Sequence, residues 1–259
     1  MIPAAYITAW GNTVGWPTID QVEQDLVLSR LIVEIANDAY LGSELMFRGG
    51  TCLHKLHLNP ALRYSEDLDY VRRSEGGIGV LLDAVRAIAD RLGMSVTTNI
   101  KSFPKIRLQA PFTSGSGNMN VKVEVNTHER SPARELARVP YTLDSQWYQG
   151  SADVQTYAIA ELVATKIRAL FQRSKGRDLF DLWLALTELD VPPPDIIECF
   201  AQYRPEKYTA VLAEQNLRAK LANVSFRQDL DQLVSARAVA YDIDDAAELV
   251  ISQLLGRFA

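Results

Sequence analysis

The chain has 259 residues, 47% hydrophobic and 23% charged, with a formal net charge of −5. This is ordinary globular composition with room for one large domain or two small ones; it excludes a generic cationic nucleic-acid coat but not a local basic patch. Cys52 and Cys199 stand far apart and outside any CxxC pattern, so free thiols in a reducing cytoplasm are expected, with no secretory signal and no run of the ~20 apolar residues a membrane helix needs.

The first 17 residues, with four Gly or Pro and two Trp, read as a tethered arm. Thr18 and Gln21 make a capping-box pattern for a helix that continues to about Tyr40 on Val22, Leu26, Ile32, Val33 and Ala36. Glu44 to Phe47 predicts a short strand ending in Arg48-Gly49-Gly50-Thr51. A helical turn or two follows through Leu58, then a loop at Asn59-Pro60. Leu68 to Arg72 predicts a second strand, and residues 77–92 an amphipathic helix. Three strand-like runs come next, Met94 to Ile100, Lys105 to Gln109 and Met119 to Asn126, the last two joined as a hairpin through Ser114-Gly115-Ser116-Gly117-Asn118. From about Thr156 the pattern is helical. The expected class is α+β: a mixed half over residues 1–150, then an all-helical half over 151–259, with Pro140 and Gly150 interrupting the pattern near the boundary.

The informative stretch is Phe47-Arg48-Gly49-Gly50-Thr51 followed by Arg63-Tyr64-Ser65-Glu66-Asp67-Leu68-Asp69-Tyr70. Residues two apart on a strand share a face, so Asp67 and Asp69 project together while Leu68 and Tyr70 enter the core. Two such carboxylates repel each other, and a hard cation with oxygen ligands, Mg²⁺ or Mn²⁺, is the usual remedy. Gly49 and Gly50 between strand and helix let backbone amides approach a phosphate, and Thr51 adds a hydroxyl there. Each piece alone is more often an ordinary turn or a solvated acidic pair. The ordered combination resembles the nucleotidyltransferase fold related to DNA polymerase β, which usually carries a third carboxylate on a later strand. Glu124, in the alternating Val121–Val125 run, fits that place; the plainer reading pairs it with Lys122 on an exposed face.

The helical half holds a basic run: Leu162 to Arg177 contains five basic residues and no acid. Lys166, Arg173 and Arg177 share a face if the helix is continuous, although Gly176 is placed to break it. Such a stripe is either a wet helix face or a phosphate clamp for nucleotide and RNA. His54 and His57 lack partners at zinc-ligand spacing and are expected as helix-surface or partly buried histidines; Cys52 lacks a base, so a packing role is expected for it.

Residues 47–71 and 161–184 together closely resemble the AbiEii-type nucleotidyltransferase toxins, whose pattern is GG-[ST], then R-[FY]-S-x-D-x-D, then K…R…RD-x-x-D. The resemblance implies a polymerase-β-like domain followed by a helical domain. It implies that Asp67 and Asp69 are metal-binding catalytic carboxylates, that Gly49, Gly50 and Thr51 hold phosphates and that Ser65 sits beside the nucleotide. Lys166 would contact the triphosphate with help from Arg177, and Asp178 would be the essential acid of the later motif. The implied reaction moves NMP from an NTP to an RNA acceptor, a tRNA 3′ end, with Mg²⁺ or Mn²⁺ as cofactor and an AbiEi-type antitoxin as partner. Two rivals stay open: a small-molecule nucleotidyltransferase of the antibiotic-modifying kind, and a catalytically silent RNA-binding regulator.

Overall fold

In the computed structural model, Thr18 caps α2 (Ile19–Asn37) through the expected box: its side chain accepts from the Gln21 amide, and the Gln21 side chain accepts from the Thr18 amide. The structure describes residues 2–100, 103–113, 115, 117–235 and 240–257. The segment read as an arm is a helix instead, α1 (Ala4–Val14), with Ile2, Ile7, Val14 and Trp16 buried. Pro3 and Gly15 fall at its two ends, so they delimit the helix rather than interrupt it.

The chain divides into two compact units. Unit 1 comprises residues 2–132, Leu136–Tyr157 and Ser235; unit 2 comprises Ala133–Glu135, Ala158–Val234 and residues 240–257. In unit 1, α3 (Leu41–Glu44) leads into β1 (Leu45–Arg48), which runs directly into α4 (Gly49–Leu56); β2 (Asp67–Arg72) returns antiparallel to β1. After α5 (Gly79–Arg91) come β3 (Ser95–Ile100), β4 (Pro104–Pro111), β5 (Asn118–Asn126), β6 (Ala137–Asp144) and β7 (Gln149–Thr156). They form one seven-stranded mixed sheet in the order β3-β4-β5-β2-β1-β7-β6, with β5 parallel to β2 and β7 parallel to β1. The β4–β5 pairing is antiparallel as expected; residues 114 and 116 of the anticipated turn lie outside the described residues.

The β6–β7 hairpin escaped the sequence reading. Pro140 looked like an interruption, but β6 is an edge strand, where a missing amide leaves no ladder bond unmade. Alternation along β6 points Arg138, Pro140, Thr142 and Asp144 to solvent.

Period-two patterning sorts the sheet's side chains. Leu68, Tyr70, Ile106, Leu108, Val121, Val123 and Val125 are buried on one face, where Phe47 stacks on Tyr70 at 4.9 Å and the helices α2 and α5 pack. Each such side chain contributes roughly 1.5–3 kcal/mol on burial. A one-residue slip would expose them all, so this face sets the register and thereby places the polar residues opposite.

Unit 2 contains α6 (Ile159–Gln172), α7 (Gly176–Thr187), α8 (Pro193–Tyr203), α9 (Ala210–Leu221), α10 (Val224–Arg227) and α11 (Ile243–Gln253), around buried Phe180, Phe200, Tyr208 and Phe226. The basic run is not one helix: α6 ends at Gln172 and α7 starts at Gly176. A Cβ at Gly176 would stand 2.2 Å from the Phe226 carbonyl oxygen, so contact with α10 requires glycine there. No described helix is long and apolar enough to cross a membrane.

Candidate active site

Arg48, the last residue of β1, lies opposite Asp69 on β2, and Gly49 opens α4 with φ +84°. A Cβ at Gly49 would come within 2.3 Å of Asp69 Oδ2, so only glycine lets the backbone pass this close to the carboxylate. Gly49 and Gly50 set their amides at the α4 N-terminus, where first-turn N–H groups lack intrahelical acceptors and the helix dipole favours an anion.

Thr51, expected from the sequence to hold phosphate, is enclosed. It is 1% exposed, its hydroxyl donates to the Asp67 carbonyl, and its Oγ1 lies 2.9 Å from Ser65 Oγ. It ties the start of β2 to α4 and so positions Asp67. Cys52 is packed, with its thiol 3.1 Å from Thr156 Oγ1 and 3.5 Å from the Phe47 carbonyl. His54 is buried on the same helix.

Asp67 and Asp69 share one face of β2, while Leu68 and Tyr70 are buried on the other. Pairing with β5 sets Lys122 beside Asp67 and Glu124 beside Asp69; pairing with β4 adds Arg107 beside Lys122 and Lys105 beside Glu124. Two cross-sheet rows result: Arg48, Asp69, Glu124, Lys105; and Asp67, Lys122, Arg107. Lys122 Nζ is 3.2 Å from Asp67 Oδ1, and Lys105 Nζ is 3.0 Å from Glu124 Oε1. The plainer sequence reading joined Lys122 to Glu124 along one strand. Their spacing there is about 6.6 Å, whereas partners on neighbouring strands come within about 4.5–5.5 Å, so each finds its counter-ion across the sheet.

Among the described residues, no three His, Cys, Asp or Glu side chains converge closely enough to enclose a metal by themselves. The donor set nevertheless suits Mg²⁺, which keeps several waters and is bound through one or two carboxylates plus substrate phosphates. Asp67 and Asp69 supply two such carboxylates, with the Asp67 side chain 35% exposed, and ammonium groups already gather at Asp67 and Glu124.

In unit 2, the Lys166 side chain is 6% exposed, with Nζ 2.8 Å from Asp181 Oδ2 and 3.6 Å from Asp178 Oδ1; both carboxylates are fully buried. Arg173, in the α6–α7 link, grips Asp178 through two bonds of 2.6 and 2.7 Å. Arg177 is one-third exposed, and its backbone amide donates to Asp229 at 3.1 Å. The break after Gln172 therefore splits the basic run, which the sequence left as a wet face or a phosphate clamp: Lys166 is enclosed with two buried carboxylates, while Arg173 and Lys175 remain about half exposed. Lys220 of α9 donates to the Leu170 and Phe171 carbonyls at the end of α6; burial pushes its amine down to about 8, against the upward pull of Asp178. Asp181 had a signal, its three-residue offset from Asp178 on one helix face. Asp229 and Lys220 had none, because distant folding brings them here.

The family model described as "Nucleotidyl transferase AbiEii toxin, Type IV TA system" matches residues 30–248. The fold is similar to that of MenT4, a nucleotidyltransferase toxin from Mycobacterium tuberculosis H37Rv, at TM-score 0.65 and 17% identity, covering 99% of this chain and 89% of that one. It is also similar to JHP933 from Helicobacter pylori, at TM-score 0.54 and 18% identity, covering 93% of each chain. No curated protein is significantly similar to the chain.

Proposed function

We propose, from the premise that this chain belongs to the AbiEii family of nucleotidyltransferase toxins of type IV toxin–antitoxin systems, that it transfers NMP from an NTP to an RNA acceptor, a tRNA 3′ end. One observation carries the reading. Asp67 and Asp69 stand on one strand face, and Gly49 brings the α4 N-terminus against Asp69. The acceptor hydroxyl would attack the α-phosphorus, and pyrophosphate would leave. The partner we propose is an AbiEi-type antitoxin, and the setting is the cytoplasm.

Asp67 and Asp69 would hold Mg²⁺ or Mn²⁺, with Glu124 as third carboxylate. Bound there, the cation would supply activation of the acceptor hydroxyl and charge neutralisation on the triphosphate. The Gly49 and Gly50 amides would hold phosphate oxygens, and the Ser65 hydroxyl would sit beside the nucleotide. Thr51, enclosed as it is, would act by holding Asp67 in place. For unit 2, we assign Lys166 and Arg177 to the triphosphate and Asp178 to orienting Lys166, on the strength of the family motif.

Purified protein incubated with α-labelled NTPs and total tRNA tests this. Label should enter tRNA at its 3′ end and vanish with Asp67→Ala, and expression in cells should arrest growth without lysis. Labelling by the Asp67→Ala protein would remove the site assignment, and arrest with unmodified tRNA would remove the acceptor.

A further inference from the structure

The polar sheet face does not stop at the carboxylates. Strands lie about 4.8 Å apart, so the β4 cations Lys105 and Arg107 stand two strands, roughly 10 Å, beyond the aspartates of β2. Beyond them Thr97 and Asn99 of β3, opposite Arg107 and Lys105 in register, are exposed and uncharged. Lys122 and Lys105 are engaged with Asp67 and Glu124, whereas Arg107 is exposed and has no ion pair among the described residues. With Arg48 of the same row paired to Glu129 at 2.6 Å, Asp67, Asp69 and Glu124 are balanced by Lys122, Lys105 and Arg107 on the same face.

We propose that Lys122 and Lys105 are resident counter-ions which a divalent cation displaces from Asp67 and Glu124, and that, once displaced, they join Arg107 as a cationic track for the phosphates of the RNA acceptor. The track rests on the functional reading above; the counter-ion role rests on the carboxylate pair alone. Both lysine pairs are about one-third exposed or more on each side, the class of ion pair that holds weakly and yields to a competing cation. Each divalent cation adds two positive charges to a face that is neutral without it. The lysines are then repelled from the carboxylates and left unpaired on a surface that a polyanion fits. A reach of two strands past the reacting end suits a polymer rather than a small molecule. In a chain of net charge −5, such a face is a local exception.

The test uses the full chain without NTP, so that nothing turns over. Mn²⁺ affinity is read from the electron paramagnetic resonance of free Mn²⁺, and RNA affinity from the anisotropy of a 5′-fluorescein-labelled 12-nucleotide single-stranded RNA at fixed ionic strength. Lys122→Met should bind Mn²⁺ about 2- to 5-fold more tightly, the equivalent of one exposed ion pair removed. Wild-type protein should bind the RNA about 10-fold more tightly with Mn²⁺ than with EDTA. Arg107→Ala should lose about 5- to 10-fold in RNA affinity and about one unit of salt slope, with unchanged Mn²⁺ affinity. Unchanged or weaker Mn²⁺ binding by Lys122→Met and Lys122→Gln, both folded by circular dichroism, overturns the counter-ion role. RNA affinity indifferent to Mn²⁺ or to Arg107→Ala overturns the track. If wild-type protein labels tRNA while Arg107→Ala binds RNA normally, only the track fails; if it neither labels nor binds RNA, the reading beneath it fails.

Discussion

Gly49 and Asp69 are in direct contact: a Cβ on the glycine would stand 2.3 Å from Asp69 Oδ2 and 3.0 Å from the aspartate's own Cβ. Gly49→Ala therefore meets two penalties, about 1–2 kcal/mol for a left-handed non-glycine backbone and a displaced carboxylate. Gly76→Ala separates them, because Gly76 has φ +96° and nothing within 4 Å of where an added methyl would stand. Both variants should lose a few degrees of thermal midpoint, but only Gly49→Ala should lose transfer, by about 100-fold or more. Equal activity in the two proteins would mean that the approach to Asp69 is irrelevant to catalysis.

Asp67→Ala and Asp69→Ala should abolish transfer while barely changing stability. The Asp67 side chain is 35% exposed and its pair with Lys122 is open to water, so its loss costs about 0.2–1 kcal/mol. At about 2–4 °C per kcal/mol, that is a small shift, measurable by calorimetry beside the activity assay. A large drop in midpoint would show these carboxylates to be structural.

Lys166→Met should behave in the opposite way. Asp178 keeps Arg173, but the fully buried Asp181 loses the ammonium 2.8 Å from it, and breaking such a buried pair typically costs about 3–5 kcal/mol. Arg177→Ala, at a one-third exposed side chain, should cost less than about 1 kcal/mol. Urea midpoints of the two variants decide the matter, and matching midpoints would contradict the enclosed geometry of Lys166.

His57 predicts part of the acid sensitivity. Burial lowers its imidazole below the usual value, and its Nε2 is enclosed without a hydrogen-bond partner. Above about pH 6.5 the residue is neutral in both folded and unfolded chains. As pH falls through that value the unfolded chain takes up the proton first, so the stability contributed by the neutral ring is lost progressively. Between about pH 7 and 5, His57→Gln should lose less stability than wild type in parallel melts. Identical slopes would assign the acid limb to other groups.

What could be read from the sequence was local. The Thr18–Gln21 box, the shared face of Asp67 and Asp69, and the Gly-Gly turn each depend on residues within a few positions of one another. What could not be read depends on pairing across distance. Which lysine meets which acid is set by the alignment of β2, β5 and β4. Pro140 is harmless only because its strand lies at a rim. Lys166 is enclosed because α6 and α7 separate at Gly176, whose place is fixed by the Phe226 carbonyl some fifty positions later. Even the N-terminal helix was hidden by its Gly and Pro, of which Pro3 and Gly15 mark its ends and Gly11 lies within it.

The two rims of the sheet are unlike. At β6, Pro140 offers no amide and Arg138 and Asp144 carry charge into solvent, which discourages a further strand from docking. At β3, residues Ser95–Ile100 carry no charge and no proline, and Ile100 is 55% exposed. Edge-to-edge association in concentrated solution therefore has one open side. Two copies joined rim to rim through β3 present only their sealed β6 rims outward, so such growth terminates at a pair instead of propagating into a fibre.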